Sequence, residues 1–326
     1  MTRILQRLEE LYAIGATRIG GSREEDAAHR LLAVWLAEAG LELEVDAAGN
    51  TFGRRGDAAV WIGSHLDSVP NGGRFDGALG VVAAVEAAGL TDAPLAVVAF
   101  RDEERGCAGS KACVEAGRLP DAYLELHVEQ GPVLARAEEP VGIVSAIFGQ
   151  AQGQVVFEGR ADHAGTTPMD ARDDALVAAA EFVLRVQAAA LPGTVATVGR
   201  LEVEPGTANV VPVRAAASLD VRASTSAELD AVIAAVGFQP TRRVEPVAMS
   251  GAPLEALRAA APEAPELPSG AGHDAGILAA AGVPTGMLFV RSLNGGVSHS
   301  PDELSSADDI EIAVSVLASA LDRIVR

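Results

Sequence analysis

His65 and Asp67 stand two residues apart, just after the short apolar run Ala58–Ile62, and Asp76 follows a loop rich in Pro and Gly. The apolar run predicts a buried strand that delivers His65 at its mouth. Imidazole nitrogens and carboxylate oxygens both suit zinc-like divalent ions. Asp67 is too near His65 in sequence to be an obvious co-ligand. It can instead accept the other ring N–H of His65 and fix the tautomer. A lone His-x-Asp would read as a polar loop, but the other histidines change the weighing. Of six, only His29 lies in a plain helical pattern; His65, His127, His163, His273 and His299 lie among Gly, Asp, Glu and Ser. Glu103 and Glu104 add a pair of carboxylates at the end of another apolar run. Adjacent residues at a strand's end point in different directions, so one can ligate while its neighbour takes a proton from a water.

The elements that must position these groups are legible as alternating strands and helices. Pro94–Phe100, Ala122–Leu126 and Pro284–Val290 are apolar runs that lead into Glu103-Glu104, His127 and His299 respectively. Leu79–Leu90 reads as an apolar helix. Ser22-Arg23-Glu24-Glu25 is a capping-box pattern opening a second helix, and Leu41–Asp46 alternates like a half-exposed strand. Ser306 caps a last helix with Ile312, Val316, Leu317, Leu321 and Ile324 on its inner face. Strands alternating with helices imply an α/β sheet, whose sites lie beyond the carboxyl ends of its strands. Between residues 146 and 247 the pattern becomes β-α-β-β-α-β, a split ferredoxin-like order. The expected organisation is therefore a metal-binding catalytic domain, residues 1–145 and 248–326, interrupted by an inserted α+β domain. Ala256–Pro268 reads as a helix and loop returning to the first domain.

At 326 residues and 49% hydrophobic content the chain can fold as two ordinary domains. A formal net charge of −20 argues against nucleic-acid or anionic-membrane partners. No apolar run approaches membrane-spanning length, and the first fifteen residues read as an amphipathic helix, not a signal peptide. Two cysteines, Cys107 and Cys113, fit a reducing cytoplasm and carry no assigned role.

These motifs together resemble the M20-type metallopeptidase/amidohydrolase superfamily. The nearest likeness is to the branch of N-carbamoyl-L-amino-acid hydrolases, allantoate amidohydrolases and β-ureidopropionases. The carrying stretches are GSHLDSVPNGGRFDG (63–77), FRDEE (100–104), ELHVEQGP (125–132), ADHAGTTPM (161–169), ANVVP (208–212), LDVR (219–222), SGAGHDA (269–275) and SHSPDE (298–303). The resemblance implies a mixed-sheet hydrolase domain with an inserted lid and dimerisation domain, and two divalent ions: zinc first, with manganese, cobalt or nickel as other candidates. His65 and His127 would hold one ion, Glu104 and His299 the other, and Asp76 would bridge them. Glu103 would be the general base and Asp67 the partner of His65. A strained peptide, cis in one form, is implied just after Asp76.

From the inserted domain, His163 would polarise the scissile carbonyl, in one arrangement from a partner subunit. Asn209 would assist it, Arg222 would clamp a substrate carboxylate and Gln150 would contact substrate. Read without the resemblance, Arg222 could pair with Asp220 and Asn209 could cap a turn. The implied partners are a small carboxylate-bearing substrate and a second copy of the chain. The implied reaction is cleavage of a carbamoyl or ureido C–N bond; a dipeptidase, an N-acyl-amino-acid deacylase and a non-catalytic metal-containing binding protein are the rival readings. The chain is shorter than this branch, with only 23 positions from Glu104 to His127.

Overall fold

The computed structural model of the protein describes residues 2–325. In chain order its elements begin with α1 (Arg3–Ile14), α2 (Arg23–Glu38), β1 (Glu42–Val45), β2 (Thr51–Arg55), β3 (Val60–His65), α3 (Ala78–Ala88), β4 (Leu95–Phe100) and α4 (Ala108–Glu115). They continue with β5 (Ala122–Val128), α5 (Val133–Ala137), β6 (Val141–Ile147), β7 (Gly149–Glu158), α6 (Ala175–Ala189), β8 (Val195–Glu204), β9 (Arg214–Ala223), α7 (Ser226–Val236) and β10 (Arg242–Val244). The last are β11 (Val247–Ala248), α8 (Ala252–Ala260), β12 (Glu266–Ser269), α9 (Asp274–Ala280), β13 (Thr285–Val290) and α10 (Ala307–Ile324). The chain divides into two compact units, one running to Ile147 and resuming at Ala248, the other spanning Phe148–Val247.

The first unit is built on a mixed sheet of order β1-β2-β4-β3-β5-β13-β6-β11, with β12 against β6. Its centre, β4, β3, β5 and β13, is parallel throughout. Each of these four strands is buried at every position. Their near-continuous Val, Leu, Ile and Ala runs are the pattern expected of parallel strands covered on both faces. Because they run the same way, their carboxyl ends lie along one edge of the sheet. The register pairs His65 with Phe100 and His127 with Phe289, so His65, the turn after Phe100, His127 and the loop after Val290 emerge together. α3 packs on β3, β4 and β5; apart from Glu86 it is apolar and buried along its whole length, as a core helix must be.

Several expectations need correction. Ala58 has a left-handed backbone (φ +46°), so the strand begins at Val60 and runs on to His65 itself. β6 and α4 have no counterpart in the sequence reading, and the stretch 256–268 holds the short parallel strand β12 as well as the end of α8. Ile312 faces outward at 42% exposure, whereas Val316, Leu317 and Leu321 are buried as expected beside Ile310, Ala313 and Val314, and Ile324 is partly buried against the core. Ser22 does cap α2 by accepting from the Glu25 N–H, but the Glu25 carboxylate does not reach back to Ser22. It accepts instead from the backbone of Gly21 and Asp102.

The second unit follows the β-α-β-β-α-β order, with an antiparallel sheet β10-β7-β9-β8. Phe182, Val186, Leu229, Val232 and Val236 from α6 and α7 close over Ala151, Ala217, Leu219 and Val221 on one face. Side chains alternate across a strand, so Gln150, Gln152, Asp220 and Arg222 share the opposite face.

Candidate dinuclear metal centre and its catalytic carboxylate

The parallel strand ends bring together two groups of potential ligands in the first unit. His65, Asp76 and His127 form one; Asp76, Glu104 and His299 form the other. Within each, one donor atom per residue lies within 4.8 Å of the rest. Asp76 belongs to both, with Oδ1 3.2 Å from His127 Nε2 and 3.7 Å from His65 Nε2, and Oδ2 3.4 Å from His299 Nε2. Glu104 Oε2 lies 3.6 Å from the same His299 nitrogen. His65 and His127 are buried, whereas the His299 side chain is 52% exposed.

The donor set fits divalent cations. The Nδ1–H of His127 donates to the Val128 carbonyl at 2.9 Å. His65 Nδ1 faces Asp67, 3.3 Å from both Oδ1 and the backbone oxygen. Anchoring each Nδ1–H leaves both Nε2 lone pairs directed inward, and they meet 3.5 Å apart. Two lone pairs at that separation repel unless a cation lies between them, and a carboxylate or carbonyl behind each imidazole is the usual support for a ligating histidine. Without metal, protons fill that role. Burial alone would depress His127, but Asp76 outweighs it and holds the ring up at about 9. Burial also opposes protonation of His65, and the charge of Glu103 with Asp67 and Asp76 lifts it well above the ordinary histidine value.

Glu103 stands apart from both ligand groups, with Oε2 3.7 Å from His65 Nε2. Burial raises its carboxyl to about 7, against the pull of His65 and His127 and with help from Glu104 and Glu125. The Cys107 thiol faces its other oxygen at 3.6 Å. The turn that carries the carboxylate pair is clamped through its main chain. Arg101 N–H donates to Asn50, Asp102 N–H to Glu25, and Glu103 and Glu104 N–H to the two oxygens of Asp67, at 2.9–3.1 Å. Four successive backbone donors therefore end on side-chain acceptors, which fixes where the two carboxylates point. Asp67 is thus more than the expected partner of His65. Asp67→Asn would set an amide against one of those N–H groups. Metal affinity should then fall about 10–100-fold, read by competition with a chromogenic chelator; unchanged affinity would contradict the clamp.

The strained peptide expected after Asp76 is found as backbone strain and not as a cis bond. The cis peptide among the described residues is Glu204–Pro205, and Gly77 instead adopts φ +60°. A Cβ there would sit 2.3 Å from the His65 ring, so only glycine fits.

Gln130 was missed by the sequence reading. Its amide donates to Asp76 Oδ2 at 2.9 Å and to Ser298 Oγ at 3.1 Å. Its place in HVEQGP was the available signal. His273 is not among the ligand groups; it is buried against the His127 ring with Nε2 2.8 Å from Ser269 Oγ, and burial keeps it neutral.

In the second unit, Arg222 pairs with Asp220, its Nε 3.0 Å from Oδ1, and Gln150 and Gln152 donate to Oδ2 of the same carboxylate at 2.6 and 2.8 Å. Arg222 thus makes the Asp220 pair that its spacing alone suggested. His163 is exposed, its Nδ1 accepting from Gly165 N–H at 3.0 Å, and the Asn209 carbonyl accepts from Ala164 N–H.

An α/β unit presenting two carboxylate-bridged histidine clusters at its strand ends, interrupted by a ferredoxin-like unit, is the architecture of a dinuclear-metal hydrolase. The chain belongs to the Peptidase family M20/M25/M40, which it matches over residues 61–323. It is 38% identical to the N-carbamoyl-L-amino acid amidohydrolase of Geobacillus stearothermophilus, over 97% of this chain and 96% of that protein. It is 33% identical to the allantoate amidohydrolase of Bacillus subtilis, over 94% and 92%. The crystal structure of a hydantoinase/carbamoylase family amidase from Burkholderia multivorans superposes with a TM-score of 0.92 at 31% identity, covering 99% of this chain and 98% of that one. The alignment to the Geobacillus protein spans 395 positions against 326 residues here, so that relative carries residues this chain lacks.

Proposed function

We propose that this chain is an amidohydrolase that cleaves the carbamoyl or ureido C–N bond of an N-carbamoyl amino acid or an allantoate-like acid. The observation that carries the reading is the unliganded, buried Glu103 beside two ligand groups that share Asp76. His65, Asp76 and His127 would hold one divalent ion and Asp76, Glu104 and His299 the other. When bound, such ions polarise a carbonyl and make a neighbouring water more acidic. Glu103 takes a proton from the attacking water and returns it to the leaving nitrogen. The C–N bond to the leaving nitrogen breaks, releasing an amino acid or a ureidoglycolate-like acid together with carbamic acid, which falls apart to ammonia and carbon dioxide. Zinc suits the donor set, and manganese, cobalt and nickel remain admissible.

From the inserted unit, His163 with Asn209 is assigned to the developing oxyanion. Arg222 is assigned to the substrate carboxylate, which a guanidinium grips through two hydrogen bonds, and Gln150 to substrate contact. The unit is further assigned to dimerisation, and the protein to the cytoplasm; no helix among the described residues is long and apolar enough to cross a membrane.

The test is a substrate panel: N-carbamoyl amino acids, ureidopropionate, allantoate, N-acetyl amino acids and dipeptides, each with added Zn²⁺, Mn²⁺, Co²⁺ or Ni²⁺. Ammonia release from the carbamoyl or ureido compounds, abolished by chelation, is expected. Preferential turnover of dipeptides or N-acetyl amino acids would overturn the substrate class, and turnover surviving thorough chelation would overturn the mechanism.

A further inference from the structure

Glu303 touches the loops that carry two of the ligands without belonging to either group. It is 3% exposed, and its carboxylate spans two loops far apart in sequence. Oε2 accepts from the backbone N–H of Phe75 at 2.8 Å and of Asp76 at 3.0 Å. Oε1 accepts from the Ser298 hydroxyl at 3.0 Å. One end therefore holds the main chain of the bridging carboxylate, and the other holds the neighbour of His299. Burial and the nearby charge of Asp76 both push the Glu303 carboxyl upward. A buried charge set beside another carboxylate costs stability unless its hydrogen bonds repay it, and all three here go to the metal-site loops.

The two ligand groups differ in how they are supported. His65 and His127 lie on β3 and β5, buried central strands. His299 lies on a loop, half exposed, with a left-handed backbone at φ +54°. A non-glycine residue in that region persists only where its surroundings impose it. Ser298, just before it, is the point at which Glu303 grips that loop.

We propose that Glu303 is a positioning residue for the second metal site, the one formed by Asp76, Glu104 and His299. It acts by locking the His299 loop onto the Asp76 loop through hydrogen bonds, not through its charge. The inference rests on the two-ion reading above. It predicts asymmetry: loss of Glu303 weakens the second site and spares the first.

Three variants separate the possibilities. Glu303→Ala removes all three contacts. Glu303→Gln keeps an oxygen for the Phe75 and Asp76 N–H groups and offers an amide to the Ser298 oxygen, so geometry survives while charge goes. Gly73→Ala leaves Glu303 in the chain but places a Cβ 2.1 Å from its Oε2, forcing the carboxylate off its donors. Each is loaded with Zn²⁺, dialysed at graded free zinc, and assayed for bound metal per chain by elemental analysis, with circular dichroism to check folding. The parent and Glu303→Gln should bind two ions. Glu303→Ala and Gly73→Ala should bind one tightly and the second about 10–100-fold more weakly, the range typical when a residue supporting a ligand is lost. Two ions at parental affinity in folded Glu303→Ala or Gly73→Ala would overturn the inference. Loss of the second ion in Glu303→Gln as severe as in the disrupted variants would also overturn it, by showing that charge is what matters. Should Glu303→Ala fail to fold, the other two variants decide. A parent chain that itself binds fewer than two ions would sink the two-ion reading first, and is told apart by that result.

Discussion

Glu103→Gln should lower kcat by about 10²–10⁴-fold, the range associated with loss of a general acid–base, while KM and metal content stay near their parental values. The substitution is nearly isosteric. Its backbone clamp to Asp67 is untouched, because that contact uses the Glu103 N–H and not the side chain. Glu103 also sits outside both ligand groups, so no donor to a cation is removed. What disappears is a carboxylate whose burial has moved it to about 7 in the metal-free protein, where it can both take and return a proton near neutrality. Cations held by the neighbouring ligands would draw that value down again, keeping the carboxylate ionised and ready to accept. The measurement is steady-state kinetics on the best substrate of the panel, with metal analysis of the same preparation. A variant within tenfold of the parent in kcat, with metals intact, would remove Glu103 from the reaction.

Much of this site was legible because ligand chemistry constrains residue type. Histidine and carboxylate at the mouths of apolar runs can be read one strand at a time, and the parallel register of β4, β3, β5 and β13 then brings the ends together. The hidden part is what supports the ligands. Asp67 looked like a partner of His65, yet it also accepts from two backbone N–H groups on a different strand's turn. Glu25 looked like half of a capping box, yet it serves Asp102, 77 residues away. Glu303, 227 positions from Asp76, gave no local sign of its hydrogen bonds. Such contacts depend on tertiary proximity, which periodicity and capping patterns do not encode. The same limit explains β6, whose pairing partners β12 and β13 lie more than a hundred residues downstream. Ile312 was misplaced for a simpler reason. α10 has more apolar positions than its inner face can take, and this one opens onto a surface groove with Ala260, Asp308 and Val316.

Removal of metal should make the first site a proton trap, and its affinity for zinc should therefore rise steeply with pH. In the metal-free protein His127 titrates at about 9, held there by Asp76 against the effect of burial. The Gly77 N–H faces Nε2 at 3.3 Å and opposes that proton, but the full charge of Asp76 at 3.2 Å is the stronger influence. At pH 7 an entering cation must expel this proton. With one proton displaced, apparent affinity should increase about tenfold per pH unit from pH 7, reach about 50-fold by pH 9, and then level off. His65, also raised, adds to the slope where its proton is displaced too. The sign for stability runs the opposite way in the metal-free chain. A folded-state value above the unfolded one near 6.5 means that the His127 contribution is fully present below about 6.5 and is lost as pH rises through about 9. Metal-loaded protein should instead be nearly insensitive to pH over the same window, because the gain in zinc affinity per pH unit offsets what the metal-free chain loses. Calorimetric zinc titrations in two buffers of different ionisation enthalpy would count the protons released at pH 7, and thermal melts from pH 6 to 9 with and without zinc would give the two slopes. Zinc binding at pH 7 without proton release would show that the imidazoles are already neutral in the empty site. In that case the repulsion between their converging lone pairs would have to be relieved by movement of His65 or His127, not by a proton.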